Sequence, residues 1–160
     1  MIGLPTASTR IFAGIDIGTL TCRLLIAELT PSGQLRELRS DRRILRLGQG
    51  VDRDRVLRAD AMERVVGTLR EWRQMIDGYQ VEAATVVATS AVRDARNREE
   101  FVGLVAREAG FRIEIIAGEE EARGDETERS RSVPADRRRH AAVGALLERE
   151  HARAGQQAGA

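Results

Sequence analysis

The segment RIFAGIDIGTLTCRLLIAEL, residues 10–29, decides the fold. Two apolar runs, 11–17 and 22–29, flank a small polar connection at 18–21, and this arrangement predicts two strands joined by a short turn. A third segment, 35–47, alternates apolar and charged residues, which is typical of a strand with one solvent-exposed face. The chain is therefore predicted to begin with a three-strand antiparallel meander.

After the meander the hydrophobic pattern changes from strand to helix. Apolar residues recur at helical spacing between 60 and 77, and Gly78 is placed to end that helix in the left-handed conformation. The β-branched run 85–89 predicts a buried parallel strand. Asn97, with Glu100 three residues later, predicts a capping box at the start of a second helix.

The fold class predicted from this pattern is α/β. A fifth strand at 113–116 and a third helix from Glu119 complete the order β-β-β-α-β-α-β-α. A meander followed by α/β alternation is uncommon, and ligands of α/β sheets bind at the carboxyl ends of the strands. The connections that follow the strands are therefore the place to look for a site.

Composition excludes several chemistries. The chain has 160 residues, which favours one domain, and a formal net charge of +1, which gives no global field to recruit nucleic acid or a membrane. All 26 basic residues are Arg, so a Walker-type phosphate loop and a Schiff-base lysine are both excluded. One Cys and two His cannot build a Cys/His zinc cluster, and Cys22 is predicted to be a small core residue.

The chain divides into three parts by composition. Residues 1–9 are predicted to be a flexible N-terminus, 10–123 a folded domain, and 124–160 a tail rich in Arg, Ala and Glu that is disordered or a lone helix. The tail has no aromatic residue, and its bulky aliphatic residues are Val133, Val143, Leu146 and Leu147. A signal peptide and a long apolar segment are not recognisable, so a cytoplasmic protein is expected.

The first polar motif is Asp16-Ile17-Gly18-Thr19-Leu20-Thr21, between the first two predicted strands. Its glycine lets the backbone approach an anion, and successive N–H groups with two hydroxyls can surround a phosphate oxygen. Asp16 at the strand end could hold a hydrated Mg²⁺ against that phosphate. On the pattern alone, an ordinary hairpin turn is the simpler explanation.

Two further polar motifs follow later strands. Residues 89–94 place Arg93 just beyond a buried strand, where its guanidinium could bind phosphate. A surface ion pair with Asp94 or Glu99 is the simpler interpretation. Residues 118–123 contain three consecutive glutamates. One of them could act as a general base for water, although acidic residues at the start of a helix are favoured by the helix dipole alone.

Together these weak signals resemble a known family. The blocks AGIDIGTLTCRLLIAEL, RILRLGQGVD, VVATSAVRDARNREEF and IEIIAGEEEAR look like the N-terminal domain of exopolyphosphatase / guanosine pentaphosphate phosphohydrolase (Ppx/GppA) proteins, in family order and spacing. The resemblance covers about residues 10–123. It implies the N-terminal domain of the actin-like, ribonuclease-H-like ATPase fold.

The resemblance also implies a reaction and its residues. The expected activity is Mg²⁺-dependent release of terminal phosphate from inorganic polyphosphate, or of the 5′ γ-phosphate of pppGpp. Glu121 matches the catalytic base, and Asp16 lies at the position nearest the metal. Phosphate binding is assigned by resemblance to Gly18, Thr19, Thr21 and Arg93.

This sequence departs from the family pattern in two places. Leu20 stands where members usually carry Asn, and after Arg123 no Asp-Ile-Gly-Gly-Gly-Ser block follows. The expectation is therefore a truncated domain with little or no activity. Two interpretations remain open. One is an enzyme that hydrolyses polyphosphate, whose cleft a homodimer could complete, and the other is a half-domain that binds polyphosphate or (p)ppGpp without turnover. A sugar kinase or chaperone ATPase ranks last, because neither explains the motifs at 89–94 and 118–123.

Overall fold

A computed structural model of the chain describes residues 9–116. The strands are β1 (Arg10–Ile17), β2 (Thr21–Leu29), β3 (Leu35–Ile44), β4 (Ala83–Ala88) and β5 (Ile113–Ile115). The helices are α1 (Val51–Asp54), α2 (Ala59–Gly78), α3 (Ser90–Asp94) and α4 (Arg98–Ala109). The N-terminal segment 1–8, the helix predicted from Glu119, the proposed base Glu121 and the tail 124–160 lie outside the described residues.

The five strands form one mixed sheet in the order β3-β2-β1-β4-β5. The pairs β1/β2 and β2/β3 are antiparallel, and the pairs β1/β4 and β4/β5 are parallel. The predicted meander followed by α/β alternation is therefore confirmed. Because β1 is central, with β2 on one side and β4 on the other, its carboxyl end lies in the middle of one sheet edge.

The main core lies between one face of the sheet and the helices α2 and α4. Trp72 of α2 and Phe101 of α4 are fully buried there against Ile15 and Leu24 of the central strands. Burial of large apolar side chains of this kind contributes about 1.5–3 kcal/mol each. The predicted apolar stripe of α2 is confirmed, because Met62, Val65, Val66, Leu69, Trp72 and Ile76 are all buried.

A polar contact ties α2 to the outer strand of the meander. The indole Nε1 of Trp72 donates to Oδ2 of Asp41 on β3 at 2.7 Å. Burial alone would raise the pKa of Asp41, but the hydrogen bonds from Trp72 and the Arg42 backbone, with the nearby Arg43 guanidinium, hold that pKa below its ordinary value. The charged form of Asp41 is therefore the one that stabilises the fold.

Strand β3 is shorter and more exposed than predicted. It ends at Ile44 rather than at Leu47, and none of its residues is fully buried. The backbone N–H groups of Leu45 and Arg46 both turn to the carbonyl of Leu20, and Arg46 takes a positive φ of 54°. This turn ends the pairing with β2 three residues earlier than the sequence pattern indicates.

The end of α2 was also predicted wrongly. Gly78 is the last helical residue and does not have the positive φ that would end the helix; Gln80 has a φ of 53° instead. The short helices α1 and α3 were not predicted at all. Segments of four and five residues are too short to show a helical hydrophobic period.

The predicted capping box at Asn97 is wrong, because the Asn97 side chain bonds elsewhere. Its Oδ1 accepts from the N–H of Leu57 at 2.8 Å, and its Nδ2 donates to the Leu57 carbonyl at 3.0 Å. No side-chain cap is formed at the start of α4. A backbone bond from Arg96 to Arg55 adds to this connection, so the loop before α2 is held against the loop before α4.

Candidate active site at the carboxyl edge of the sheet

The carboxyl ends of β1, β4 and β5 meet at one edge of the sheet. The N–H of Thr89 donates to the carbonyl of Ile17 at 3.2 Å, and the N–H of Ile116 donates to the carbonyl of Ala88 at 3.1 Å. The first two polar motifs begin at this edge, and the chain enters the third motif directly after Ile116. The placement predicted from strand type is confirmed for the described motifs.

The connection between β1 and β2 is a tight turn that requires glycine. The N–H of Gly18 donates to the carbonyl of Thr21 at 3.0 Å, and a Cβ on Gly18 would lie 2.7 Å from that same oxygen. Within residues 9–116, the N–H groups of Thr19 and Leu20 at the tip donate to no backbone oxygen, and both residues are exposed. The turn thus presents two backbone donors that an anion can accept.

Asp16 lies at the end of β1, beside the turn. In register it pairs with Arg23 of β2 and Val87 of β4, and it is only 6% exposed. Mg²⁺ in proteins is usually held by one or two carboxylates, with water and phosphate oxygens completing its shell. The Asp16 carboxylate lies beside backbone N–H groups that can bind such a phosphate, so its position suits Mg²⁺. Among residues 9–116, no three Asp, Glu, His or Cys side chains converge on one point.

A contact between Thr19 and Ser90 brings the first two motifs together. Their hydroxyl oxygens, Thr19 Oγ1 and Ser90 Oγ, are 3.2 Å apart. Gly48 then holds Thr19 from the side: its N–H donates to the Thr19 carbonyl at 2.9 Å, and a Cβ on it would lie 2.3 Å from Thr19 Cγ2. The same added Cβ would lie 3.1 Å from Ala91 Cβ on α3.

Ser90 and Gly48 were missed as site residues. The sequence shows Ser90 inside the second motif, but nothing in the pattern indicates that it meets Thr19. The run Gly48-Gln49-Gly50 is typical of a turn, and it gives no sign that Gly48 packs against Thr19. Position 48 needs glycine because Thr19, 29 residues earlier in the sequence, packs directly against it. A contact between positions so far apart leaves no periodic signal in the sequence.

Arg93 is half-buried and already has two partners. Its Nε pairs with Asp94 Oδ1 at 3.3 Å, and its Nη1 donates to the carbonyl of Ile116 at 3.3 Å. The contact with Ile116 joins the second motif to the residues that lead into the third. Since a guanidinium has five N–H donors, others stay available to an anion.

Cys22 has the position predicted for it. It is 1% exposed in the core, and burial together with the nearby Asp16 carboxylate raises the pKa of its thiol to about 12. Because the thiolate is the nucleophilic form, this cysteine is inert at neutral pH. It takes no part in the chemistry of the site.

A separate cavity lies away from the motifs. It has a volume of about 380 Å³ and is lined by residues such as Arg73 of α2, Ala83 at the start of β4, and Arg112 just before β5. These positions belong to the amino ends of β4 and β5, at the edge of the sheet opposite Gly18 and Arg93.

No helix within residues 9–116 is long and apolar enough to cross a membrane.

Comparison with known families identifies a match over much of the chain. Residues 25–125 match the model of the Ppx/GppA phosphatase family. Exopolyphosphatase 2 of Mycobacterium tuberculosis is 37% identical over 124 residues, which is 72% of this chain and 39% of that protein. The bifunctional 3-dehydroquinate synthase/phosphatase of Fusobacterium nucleatum is 38% identical over 116 residues, 69% of this chain and 18% of that protein.

Solved structures give the same result. The Aquifex aeolicus member of the Ppx/GppA protein family superposes with a TM-score of 0.68 at 38% identity, over 71% of this chain and 37% of that one. An exopolyphosphatase from Cytophaga hutchinsonii superposes with a TM-score of 0.67 at 28% identity, over 71% of this chain and 36% of that one. This chain therefore spans less than two-fifths of the length of each of these relatives.

Proposed function

Because the chain belongs to the Ppx/GppA phosphatase family, we propose that residues 10–123 form one half of a phosphoanhydride hydrolase site. The proposed substrate is inorganic polyphosphate, with the 5′ γ-phosphate of pppGpp as the alternative. One observation carries the proposal: the turn at Gly18 and the start of α3 meet through Thr19 and Ser90 at the carboxyl edge of a sheet with the family's actin-like fold. The predicted fold class is confirmed by this match.

The residues of this half have separate roles in the proposal. The N–H groups at the tip of the turn, with the hydroxyls of Thr19 and Thr21, bind oxygens of the terminal phosphate. Arg93 binds the polyanion through the donors that Asp94 and Ile116 do not use, and so offsets its charge. Glu121 accepts a proton from the attacking water and orients it in line with the breaking bond.

The donor set at Asp16 fits a magnesium ion, and this carboxylate is the described residue that would hold it. Bound Mg²⁺ would supply charge neutralisation on the phosphate oxygens. The contribution of the chain itself is to fix the phosphate beside Asp16. The turn between β1 and β2 would position the phosphate in this way. The Gly18 N–H donates to the Thr21 carbonyl, and Gly48 packs against Thr19, so both contacts fix the turn.

We propose that turnover by this chain is slow. Asp16 is the carboxylate that we place beside the turn, and it is almost fully buried. Among residues 9–116 it belongs to no group of three or more Asp, Glu, His or Cys side chains that could hold a metal ion. A site with one acidic ligand clamps the cation weakly, so stabilisation of the transition state is reduced. The same observation supports the second candidate function, a half-domain that binds polyphosphate or (p)ppGpp without hydrolysing it.

Phosphate release tests the two candidates. The chain is incubated with Mg²⁺ and polyphosphate, and orthophosphate is measured colorimetrically for the wild type and for Glu121→Gln. Glu100→Gln, a change of the same charge on the exposed side of α4, is the matched control. The hydrolase proposal expects slow release that Glu121→Gln lowers by about 100-fold and Glu100→Gln leaves unchanged. Equal release from all three proteins rejects Glu121 as the base, and tight binding without release favours the half-domain.

A further inference from the structure

The backbone of Arg46 lies against the turn between β1 and β2. The N–H groups of Leu45 and Arg46 both donate to the carbonyl of Leu20, at 3.0 and 2.9 Å. Leu20 is at the tip of that turn, where its own N–H and that of Thr19 donate to no backbone oxygen within residues 9–116. Arg46 is therefore bonded directly to the part of the turn that offers its N–H groups to an anion.

The side chain of Arg46 is available to a ligand. Arg46 is exposed, and among residues 9–116 its guanidinium forms no ion pair. Arg93, by contrast, already pairs with Asp94 and donates to the carbonyl of Ile116. A guanidinium carries five N–H donors in a planar fork that matches the oxygens of a phosphate. Arg46 thus brings a positive charge and a full set of donors to the turn.

The backbone conformation of Arg46 is held by its contact with the turn. Its φ is 54°, in the left-handed region that a residue with a side chain rarely adopts. Such a conformation persists only where surrounding contacts hold it, and it is concentrated at binding sites. Here the two hydrogen bonds to the Leu20 carbonyl hold it. Because they are backbone bonds, glycine could make them with no strain, so the turn itself does not need the arginine side chain.

We propose that Arg46 binds a second phosphoryl group of the substrate, next to the one that the tip of the turn binds. This inference rests on the proposed function, because it assumes that the turn holds a terminal phosphate. Every phosphoryl group of a phosphoanhydride chain is anionic, so the group beside the terminal one needs a cation of its own. The role of Arg46 is then to favour a chain of phosphoryl groups over a single phosphate ion.

Replacement of Arg46 by glycine tests this role without disturbing the turn. Arg46→Gly removes the guanidinium, and glycine adopts a positive φ without steric cost. Arg55→Gly is the matched control, because Arg55 is also exposed, also has a φ of 54° and forms no described ion pair. The backbone of Arg55 bonds Val51 and Arg96 instead of the turn. Arg46→Lys keeps the charge and loses the planar fork.

Calorimetric titration of the full-length chain, in the presence of Mg²⁺, measures binding of tripolyphosphate and of orthophosphate. The proposal expects Arg46→Gly to weaken tripolyphosphate binding at least about fivefold, which corresponds to about 1 kcal/mol. Orthophosphate binding should stay nearly unchanged, which also shows that the variant is folded. Arg46→Lys should recover part of the loss, and Arg55→Gly should bind like the wild type. Added salt should shrink the loss, because it screens an exposed charge.

Three results overturn the proposal. The first is equal tripolyphosphate affinity in the wild type and Arg46→Gly. The second is an equal loss for tripolyphosphate and orthophosphate, which would assign the effect to the turn itself. The third is an equal loss in Arg55→Gly, which would assign it to net charge. If the wild type binds neither ligand, the anion site as a whole is rejected. If Glu121→Gln releases phosphate as fast as the wild type, only the proposed catalytic base fails, and the binding role of Arg46 stands.

Discussion

Replacing Gly48 by alanine tests the packing that fixes the phosphate-binding turn. The added Cβ would lie 2.3 Å from Thr19 Cγ2, whereas ordinary contacts are 3.4–4 Å, so the two atoms must move apart by about 1 Å. Overpacking of this kind costs about 1–3 kcal/mol. We expect Gly48→Ala to lower the free energy of unfolding by that amount, in urea denaturation followed by the fluorescence of the buried Trp72.

A double-mutant cycle identifies the clash. Thr19→Ser removes Cγ2 and keeps the hydroxyl that faces Ser90. The remaining contacts of the new Cβ, 3.1 Å to Ala91 and 3.2 Å to Thr19 Cβ, need shifts of only a few tenths of an ångström. Gly48→Ala should therefore cost at least about 1 kcal/mol less in the Thr19→Ser background.

The matched control for this cycle is Gly67→Ala. Gly67 lies inside α2, and nothing is within 4 Å of the Cβ it would gain. That substitution should stabilise the protein by up to about 1 kcal/mol through helix propensity. If Gly48→Ala costs the same with Thr19 and with Ser at position 19, the steric argument for the turn is refuted.

Three further predictions concern the fold around the site. Cys22 should react with a thiol reagent at pH 8 only as fast as the protein unfolds, because its pKa is raised to about 12; rapid labelling of the native chain contradicts this. Asp41→Asn should lower the free energy of unfolding at pH 7. The difference in stability from the wild type should shrink as the pH falls below about 4 and disappear below the lowered native pKa of Asp41, because the stabilising carboxylate is then protonated. A difference in stability that persists in acid refutes this prediction. Asn97→Ala should lower the free energy of unfolding by about 1–3 kcal/mol, because it leaves the N–H and the carbonyl of Leu57 unpaired. Asn97→Asp keeps the acceptor oxygen and loses only the Nδ2 donor, so it should destabilise the protein less. Equal destabilisation by both variants would show that the hydrogen bond accepted by Oδ1 contributes nothing.

The elements with a long hydrophobic period were predictable from the sequence. The 20 residues of α2 carry an apolar stripe, and β1 and β4 are apolar over most of their length. The errors lie at positions where a tertiary contact decides the backbone. Strand β3 ends early because two N–H groups bond Leu20, and Asn97 bonds Leu57 rather than capping its own helix. Contacts between residues 25 to 40 positions apart leave no local pattern.

The candidate site was predictable in its chemistry but not in its geometry. The residue types at Asp16, Gly18 and Arg93 indicate anion binding, and strand order places the first two motifs at one edge of the sheet. What the sequence does not contain is the pairing of Thr19 with Ser90 and the close approach of Gly48. The ion pair of Arg93 with Asp94 was indicated by the sequence, but the hydrogen bond from Arg93 to the Ile116 carbonyl was not, because it depends on the path of the backbone rather than on a residue type.

Calorimetric titration of the chain with polyphosphate, in the presence of Mg²⁺, tests the central claim most directly. The claim is that the edge carrying Gly18 and Arg93 is a polyanion site. Arg93→Ala should weaken binding by about 10- to 100-fold, the loss expected for hydrogen bonds to a charged group. Arg112→Ala removes an exposed arginine at the opposite edge and should change the affinity little. No heat from the wild type, or an equal loss in both variants, would contradict the account.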